Sequence, residues 1–498
     1  MSFNFFDLKS GTDVRGVAYA PENEITLTDE RVDLIVKAFS ERFDFSKQIT
    51  IAVGHDSRLS ANRIKNAVAK GLKEVGVRVL DVGLASTPAM FMTTKLGKEQ
   101  VDGAIMITAS HLPQDKNGLK FFEGTGGLES KDIEIMLKRA IADTPFTLRE
   151  GGSVEAYDFM PVYSKHLEDM VKKSCNKELP LKGMKIVVDA GNGAGGFYEK
   201  ILKNLGADTD GSQFLEPDGS FPNHIPNPEN VVAMQAISDC VVKNKADLGI
   251  IFDTDVDRAA IVSKEGKEIN RNRLIALISA VLLGESKEGT IVTDSITSVG
   301  LKDFISSLGG KHFRFKRGYK NVINKSKELN ALGEYSPLAI ETSGHAALKE
   351  NYFLDDGAYL ITRLVIAAAK LKEEGKELTS LIDSLKDPYE AVEVRMGFKV
   401  ADFKEYGLSV LKAFEEYVKG CSFATLEEPN YEGVRVNFNK ENGNGWLLLR
   451  MSLHDPIMPL NIESDEEGGN KIIAKLLYDF LKDFEKLELK NLEKFINE

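Results

Sequence analysis

One stretch indicates the fold: AIMITASHLP, Ala104 to Pro113. Its apolar residues predict a buried strand that runs directly into Ser110 and His111. Two later apolar stretches end in the same way, GIIFDTDVDR at 249–258 and LAIETSGH at 338–345. Open α/β sheets carry their chemistry at the carboxyl ends of their strands. The three strand ends therefore predict one composite site.

Length and composition indicate an ordered chain of several domains. It has 498 residues, of which 42% are hydrophobic and 28% charged. A single hydrophobic core stops growing at about 250–300 residues, so we expect about three or four domains. The formal net charge is −12, and no run of Lys and Arg is concentrated enough to neutralise a phosphate backbone. We therefore expect no nucleic-acid partner.

Cysteine usage and apolar runs bear on location. Cys175, Cys240 and Cys421 are widely separated and lack CxxC spacing, which favours a reducing compartment and no disulfides. The longest apolar run, Leu274 to Leu283, is about half the length of a membrane span. Residues 1–16 lack the pattern of a secretory signal. We expect a cytoplasmic protein without membrane contact.

The pattern along the chain predicts four domains. A βα rhythm, with Thr28 as the N-cap of an early helix, restarts twice and then gives way after Asp387 to alternating strands with helices at 406–417 and 471–484. The predicted fold class is α/β, with three similar mixed α/β domains and a smaller C-terminal α+β domain. The predicted domains cover residues 1–155, 156–268, 269–386 and 387–498.

The loop DTDVDR places three carboxylates at alternate positions and an arginine directly after them. Asp253, Asp255 and Asp257 offer oxygen ligands for a hard cation, and Mg²⁺ is favoured where a phosphate is nearby. The alternative is a solvated acidic loop without a metal. An EF-hand is disfavoured, because Arg258 and Lys264 occupy the positions where that motif needs Gly and an acid.

Ser110 is a candidate nucleophile, although a serine at a strand end is more often only a helix cap. No GxSxG motif surrounds it, which disfavours an acyl-transfer hydrolase. A phosphorylated Ser110 would instead give the Asp-bound cation a phosphate oxygen as a further ligand. His111 is a proton carrier or only a polar loop residue, and Lys120 is a candidate general acid or base.

Two further loops predict ligand binding. Glu341, Ser343 and His345 in ETSGH have the spacing and chemistry to bind neighbouring sugar hydroxyls, although a capped turn is the alternative. Arg450 and Ser452 follow an apolar strand and match the donors that bind a phosphate group. Taken alone, Arg450 is better interpreted as a surface arginine.

Gly191, Gly193 and Gly196 match the GxGxxG pattern of dinucleotide-binding proteins. The pattern is weak alone, and no second strand ending in an acid follows about twenty residues later. We therefore interpret the glycines as a tight turn from a strand to a helix.

Taken together, the motifs resemble those of the α-D-phosphohexomutase superfamily, the phosphoglucomutase/phosphomannomutase group. The resemblance covers essentially the whole chain and keeps the order of the family's motifs. They are SGTDVRG (10–16), TASHLP (108–113), NGLKFF (117–122), DAGNGAGG (189–196), DTDVDR (253–258), ETSGH (341–345) and GWLLLRMS (445–452).

The resemblance implies a heart-shaped, four-domain enzyme in which phosphoserine Ser110 and the three aspartates bind Mg²⁺. It assigns Glu341, Ser343 and His345 to sugar binding, Arg450 and Ser452 to phosphate binding, and a role in catalysis to Arg15. Departures include Leu112 in the serine loop and RMSLHDP, with Leu453, His454 and Asp455, in the phosphate loop. Others are Thr254 and Val256, where the family usually has Gly, and Tyr319 in KRGYK, where many members have His.

The sequence therefore predicts a Mg²⁺-dependent mutase that interconverts hexose 1-phosphate and 6-phosphate, with glucose and mannose phosphates as leading substrates. The predicted route uses phosphoserine Ser110 and a hexose 1,6-bisphosphate, which also acts as activator. Positive charge at the reaction comes from Arg15, Lys120 and Arg258. We expect a monomer or weak homo-oligomer. Two alternatives are a phosphosugar phosphatase with Asp253 as nucleophile and an idle sugar-phosphate binding protein.

Overall fold

The computed structural model describes residues 3–20, 24–400, 402–452 and 455–498. The chain folds into two compact units. The first contains Met1–Val281 and Ser343–Leu381, and the second contains Leu282–Thr342 and Ile382–Glu498.

Helices occur throughout both units. Their bounds are α1 (Asp29–Ser40), α2 (Ala61–Glu74), α3 (Thr87–Met92), α4 (Ser130–Ala140), α5 (Met160–Cys175), α6 (Phe197–Asn204), α7 (Val231–Asn244), α8 (Arg271–Ser286), α9 (Val299–Ser307), α10 (Tyr319–Ala331), α11 (Gly357–Glu373), α12 (Phe403–Lys419), α13 (Gly469–Leu481) and α14 (Lys490–Asn497). The N-cap prediction for α1 is confirmed, since the Thr28 side chain accepts a hydrogen bond from the backbone N–H of Arg31. Helix α12 extends beyond its predicted range at both ends.

The first unit begins with a mixed sheet. Its strands are β1 (Lys9–Ser10), β2 (Asp13–Val17), β3 (Thr50–His55), β4 (Arg78–Leu84), β5 (Gly103–Ile107), β6 (Lys116–Glu123), β7 (Gly126–Gly127) and β8 (Ser153–Ala156). The order is β1-β2-β6-β5-β3-β4-β8, with β7 beside β6. Strand β3 is parallel to β4 and β5, whereas β6 is antiparallel to β5 and β2. The ends of β3 and β5 and the middle of β6 therefore lie side by side.

A second sheet in the first unit positions the acidic loop. Its strands are β9 (Ile186–Asp189), β10 (Leu248–Phe252), β11 (Ala259–Ser263) and β12 (Glu268–Ile269), in the order β12-β11-β10-β9. Strands β10 and β11 form an antiparallel hairpin, and their buried residues hold the connecting segment 253–258 in place. The acidic motif is thus the turn of a buried hairpin.

The next strands divide between the two units. Strands β13 (Thr290–Thr293), β14 (Lys311–Arg314) and β15 (Leu338–Ile340) are parallel and belong to the second unit. Strands β16 (Ala346–Leu348) and β17 (Leu354–Asp355) form an antiparallel hairpin in the first unit.

The second unit ends in an antiparallel sheet with the order β19-β20-β21-β22-β18-β23. Its strands are β18 (Glu390–Phe398), β19 (Ala424–Leu426), β20 (Val434–Phe438), β21 (Gly445–Leu449), β22 (Ile457–Ser464) and β23 (Leu487–Glu488). Helices α12 and α13 contribute Phe414 and Leu477 to the core of this sheet. Mixed α/β layers followed by this α+β domain confirm the predicted fold class. Across the described ranges, no helix is long and apolar enough to span a bilayer.

A buried carboxyl group makes the second unit sensitive to pH. Glu463 on β22 accepts a hydrogen bond from the indole of Trp446, and burial raises the pKa of Glu463 to about 7. Because the folded state then holds a proton that the unfolded state releases, stability falls as the pH rises from about 4.5 to 7.

We expect Glu463→Gln to remove this pH dependence. At pH 8 the variant is expected to be more stable than the parent by about 3 kcal/mol, and at pH 4 the two differ little. Thermal unfolding of both proteins at several pH values measures the effect. An equal pH dependence in the two would contradict it.

Candidate active site

Ser110 lies directly after β5 and is 3% exposed. Its hydroxyl donates to Asp253 Oδ2 at 3.1 Å and lies 3.2 Å from His111 Nδ1. Arg258 Nη2 donates to the same Oγ at 3.3 Å. The backbone of Ser110 has a φ of 50°, which is unusual for a residue with a side chain. The structure thus places the hydroxyl between a carboxylate and a guanidinium.

Asp253, Asp255 and Asp257 meet as predicted. One carboxylate oxygen from each lies within 4.8 Å of the others. Lys120 on β6 donates to Asp255 Oδ2 at 3.1 Å and also to Asp257. The Oδ1 atoms of Asp255 and Asp257 are buried and have no hydrogen-bond partner among the described residues. Unpartnered carboxylate oxygens inside a protein fit a hard cation such as Mg²⁺.

The charges around this cluster set the protonation of its carboxyl groups. Burial raises the pKa of Asp253 well above its usual value, and the carboxylates of Asp257 and Asp255 raise it further. Burial also acts to raise the pKa of Asp257, but the positive charges of Lys120, His345 and Arg258 lower it. The buried cluster therefore combines Asp253, whose protonated form is favoured, with Asp257, whose charged form is favoured.

Two histidines in the first unit have opposite charge preferences. Burial, followed by the charges of Arg258 and Arg15, lowers the pKa of His111 to about 2. Burial also acts to lower the pKa of His345, but the carboxylates of Asp355 and Asp257 raise it to about 9. His345 Nδ1 is hydrogen bonded to Asp355, and Asp257 Oδ1 lies 4.0 Å away. At neutral pH, His111 is neutral and His345 is charged.

Arg15 and Ser343 complete the predicted residues of the first unit. Arg15 on β2 pairs across the sheet with Gly118 and donates to Asp13 Oδ2 at 2.8 Å. The Ser343 hydroxyl is buried and has no hydrogen-bond partner among the described residues, so it is available to a ligand hydroxyl.

Val256 in the acidic loop has an unfavourable backbone conformation. Its φ is 67°, a conformation in which a β-branched residue is strained. The carbonyl of Val256 accepts from the N–H of Gly357, and its side chain is fully buried. Packing around the turn therefore holds a conformation that the sequence alone disfavours.

The DAGNGAGG stretch supports the acidic loop. Gly191 has a φ of 54°, as a tight strand-to-helix turn requires. A Cβ on Gly193 would lie 2.6 Å from the carbonyl oxygen of Thr254, and the N–H of Ala194 donates to that oxygen at 2.8 Å. The glycines thus allow two backbones to approach closely.

The remaining predicted residues belong to the second unit. Glu341 Oε1 accepts from the N–H of Gly318 at 2.6 Å. Arg317 Nε lies 3.4 Å from Asp294 Oδ2. Arg450 is 6% exposed, its Nε has no hydrogen-bond partner among the described residues, and burial together with Arg317 lowers its pKa. Two nearby arginines favour an anionic ligand.

Ser452 donates its backbone N–H to the carbonyl of Ile457 at 3.1 Å, and its hydroxyl accepts from the N–H of Asp455 at 3.2 Å. These contacts shape the loop that follows Arg450. The departures Leu453 and His454 lie outside the described residues.

Three residues near these groups did not stand out in the sequence. Arg58 follows β3, and its buried guanidinium donates to the carbonyl of Ser110 at 2.5 Å. Thr87 at the start of α3 donates its N–H to the Asp255 carbonyl at 2.8 Å and its hydroxyl to the Asp255 carboxylate. Arg317 lies in KRGYK, where the sequence pattern marked only Tyr319, as a departure from the family. Arg58 ends the stretch GHDSR (54–58), and its place directly after an apolar strand is the sequence signal that could have identified it.

Comparisons with known proteins identify the family of the chain. Family models for phosphoglucomutase/phosphomannomutase α/β/α domains I, II and III match residues 8–147, 161–266 and 270–389. A phosphomannomutase/phosphoglucomutase from Pseudomonas aeruginosa is 31% identical over 476 residues, covering 94% of each chain. A phosphoglucomutase from Neisseria gonorrhoeae is 29% identical over 465 residues, covering 93% of this chain and 94% of the relative.

A similar structure has been solved by crystallography. It is a phosphoglucomutase/phosphomannomutase family protein from Burkholderia thailandensis, with a TM-score of 0.79 and 27% sequence identity. The match covers 96% of this chain and 98% of that one.

Fold and site together define an intramolecular phosphotransferase. The chain belongs to the phosphoglucomutase/phosphomannomutase family of the α-D-phosphohexomutase superfamily. It is an isomerase-type enzyme with hexose phosphate mutase activity.

Proposed function

We propose that the enzyme interconverts the 1-phosphate and 6-phosphate of glucose, mannose or both, with a phosphorylated Ser110 as the phosphoryl donor and acceptor. One observation carries the proposal: the Ser110 hydroxyl lies 3.1 Å from Asp253 Oδ2 and 3.3 Å from Arg258 Nη2. A phosphoryl group on this oxygen would lie among acidic metal ligands and cationic side chains, as phosphoryl transfer requires.

Asp253, Asp255 and Asp257 are the proposed Mg²⁺ ligands, together with an oxygen of phosphoserine Ser110. The unpartnered oxygens of Asp255 and Asp257 support this ligand set. When bound, Mg²⁺ neutralises charge on the transferring phosphoryl group.

In the forward reaction, a sugar hydroxyl attacks the phosphorus of phosphoserine Ser110. A bond forms between the sugar oxygen and phosphorus, and the bond between phosphorus and Ser110 Oγ breaks. The sugar hydroxyl proton passes to a base, and Ser110 Oγ takes up a proton to become a free hydroxyl. His111 and Lys120 are the candidate proton carriers. Arg15, Arg258 and Lys120 supply positive charge that stabilises the transferring group.

The product of this step is a hexose 1,6-bisphosphate. After it reorients, Ser110 Oγ gives its proton to a base and attacks the other phosphate. The bond between that phosphorus and the sugar oxygen breaks, and the sugar oxygen takes up a proton. Ser110 is phosphorylated again, so added hexose 1,6-bisphosphate acts as an activator of unphosphorylated enzyme.

We propose that Ser343 and His345 in the first unit and Glu341 in the second bind sugar hydroxyls. Arg450 and Ser452 in the second unit bind the phosphate that does not react. The buried, unpartnered Nε of Arg450 supports its assignment.

A coupled assay with hexose 1-phosphates and trace bisphosphate tests the proposed function. We expect formation of the 6-phosphate from glucose or mannose 1-phosphate without net release of inorganic phosphate. Phosphate release without isomerisation would support the phosphatase that uses Asp253, and binding without exchange of labelled phosphate would support an idle binding protein.

A cytoplasmic location and a monomeric or weakly associating state stay predictions.

We expect Arg450→Ala to lower kcat/KM about ten- to a hundredfold for both isomers, because a charge-assisted arginine–phosphate contact contributes about 1.5–3 kcal/mol. Both directions are affected, since each isomer presents its unreactive phosphate to the same loop. Steady-state kinetics in both directions measure the loss. Arg395→Ala, which removes an exposed arginine from β18, is the matched control. A normal kcat/KM for either isomer would rule out the Arg450 assignment.

A further inference from the structure

Two features of the first unit have no part in the mechanism above: the buried Arg58 and the Asn192 side chain in DAGNGAGG. Arg58 is 2% exposed, although arginine is seldom buried so completely. Its Nη1 donates to the carbonyls of Pro113 at 2.7 Å and Lys116 at 2.9 Å. Its Nη2 donates to the carbonyls of Ser110 at 2.5 Å and Leu112 at 2.6 Å.

These four bonds bind one guanidinium to the backbone on both sides of His111. A planar fork of donors can satisfy several carbonyls at fixed angles, which the single ammonium of lysine cannot do. Ser110 has the left-handed φ of 50°, and such a conformation persists only where its surroundings hold it. Arg58 provides that constraint through the Ser110 carbonyl.

A loop from the next domain covers Arg58. The Phe221 ring lies 5.4 Å from the guanidinium carbon. A Cβ on Gly219 would lie 2.4 Å from the carbonyl oxygen of Ser57 and 2.5 Å from the nitrogen of Leu59. The loop backbone therefore lies directly against the turn that carries Arg58.

Asn192 connects this loop to the acidic loop. Its carbonyl accepts from the N–H of Asp218 at 2.9 Å, and its side-chain oxygen accepts from the Asn223 amide at 2.8 Å. Two residues further on, the N–H of Ala194 donates to the Thr254 carbonyl. The contacts run without a break from the Ser110 backbone to the residue after Asp253.

We propose that Arg58, residues 218–221 and Asn192 form a positioning frame that sets Ser110 Oγ against Asp253. Arg58 is its principal positioning residue, and it acts through the backbone of Ser110 without touching substrate. The inference rests on the proposed role of Ser110 as the phosphoryl carrier.

The test is Arg58→Lys, assayed in both directions with the intact enzyme. A displacement of about 1 Å at the reacting atom costs about a hundredfold in rate, so we expect kcat to fall by about that factor with KM changed less than about twofold. Transfer from glucose 1,6-bisphosphate to Ser110, followed by intact mass, is expected to slow by the same factor. The Mg²⁺ affinity of unphosphorylated enzyme should be unchanged, since lysine keeps the positive charge that interacts with Asp255.

Arg63→Lys is the matched control, because Arg63 also donates to two carbonyls, those of Ala18 and Leu27, away from Ser110. Phe221→Leu is the second variant. It keeps Arg58 but removes the ring over it, and a kcat loss of about threefold to tenfold is expected.

Folded Arg58→Lys protein with kcat within twofold of the parent would overturn the proposal. So would a rise in KM at unchanged kcat, which would indicate substrate binding. If Arg58→Lys does not fold, Phe221→Leu is the test instead, and a kcat equal to that of the parent would overturn the proposal. Full activity in Ser110→Ala would overturn the proposed function itself, which the Arg58 result alone does not do.

Discussion

Ser110→Ala is expected to lose nearly all mutase activity, with kcat lowered by about a thousandfold or more. Alanine removes the oxygen that lies between Asp253 Oδ2 and Arg258 Nη2, so no phosphoryl group can be carried between the two positions of the sugar. A coupled assay of 6-phosphate formation measures the loss. Intact-mass analysis of the parent protein is expected to show partial phosphorylation, and that of the variant none.

Ser153→Ala is a suitable control, since Ser153 lies on the edge strand β8, which β3 and β4 separate from β5. It should retain both activity and phosphorylation. Ser110→Ala removes one hydroxyl and no side chain of the hydrophobic core. We therefore expect it to keep the unfolding temperature of the parent within a few degrees. Parent-level turnover in folded Ser110→Ala would show that another residue carries the phosphoryl group.

Exhaustive chelation is expected to abolish activity, and added Mg²⁺ to restore it. Asp255→Asn is expected to lower kcat by about a hundredfold or more, because it removes a charged ligand from a site that concentrates three carboxylates. The Asp255 side chain also accepts from Lys120 and Thr87, so its loss disturbs the balance of charge around Ser110. Titration calorimetry with Mg²⁺ alone is expected to show weaker binding in the variant.

Asp239→Asn provides the matched control, because Asp239 is an exposed aspartate of α7 in the same unit. It should leave both Mg²⁺ affinity and kcat unchanged. Activity that survives chelation, or undiminished Mg²⁺ affinity in Asp255→Asn, would contradict the assignment of the three aspartates as ligands.

Local sequence patterns predicted much of the fold. Thr28 followed by apolar residues at helical spacing predicted the start of α1. The change of pattern after Asp387 to alternating strands with helices predicted a C-terminal α+β domain. The acidic motif predicted a loop of clustered carboxylates, which the hairpin of β10 and β11 provides. These features depend on residues a few positions apart, and hydrophobic periodicity reports such relations directly.

The roles of other residues depend on contacts between distant parts of the chain. Arg58 acts 52 residues from Ser110, and Thr87 acts 168 residues from Asp255. The pKa values of His111 and His345 likewise differ because of surroundings that only folding supplies. Burial and then Arg258 lower the pKa of His111, whereas Asp355 and Asp257 raise that of His345 against the effect of burial. No local spacing distinguishes the two imidazoles.

The sequence by itself determined the α/β class, the order of the motifs and the residue types available for phosphoryl transfer. Only the tertiary structure decided which carboxylate oxygens stay without a partner, which histidine is charged and which arginine holds the Ser110 backbone. The physical reason is that hydrogen bonding and pKa depend on distance and burial in three dimensions. A strand end specifies which side chains it carries, whereas the packing of neighbouring strands and loops specifies what those side chains meet.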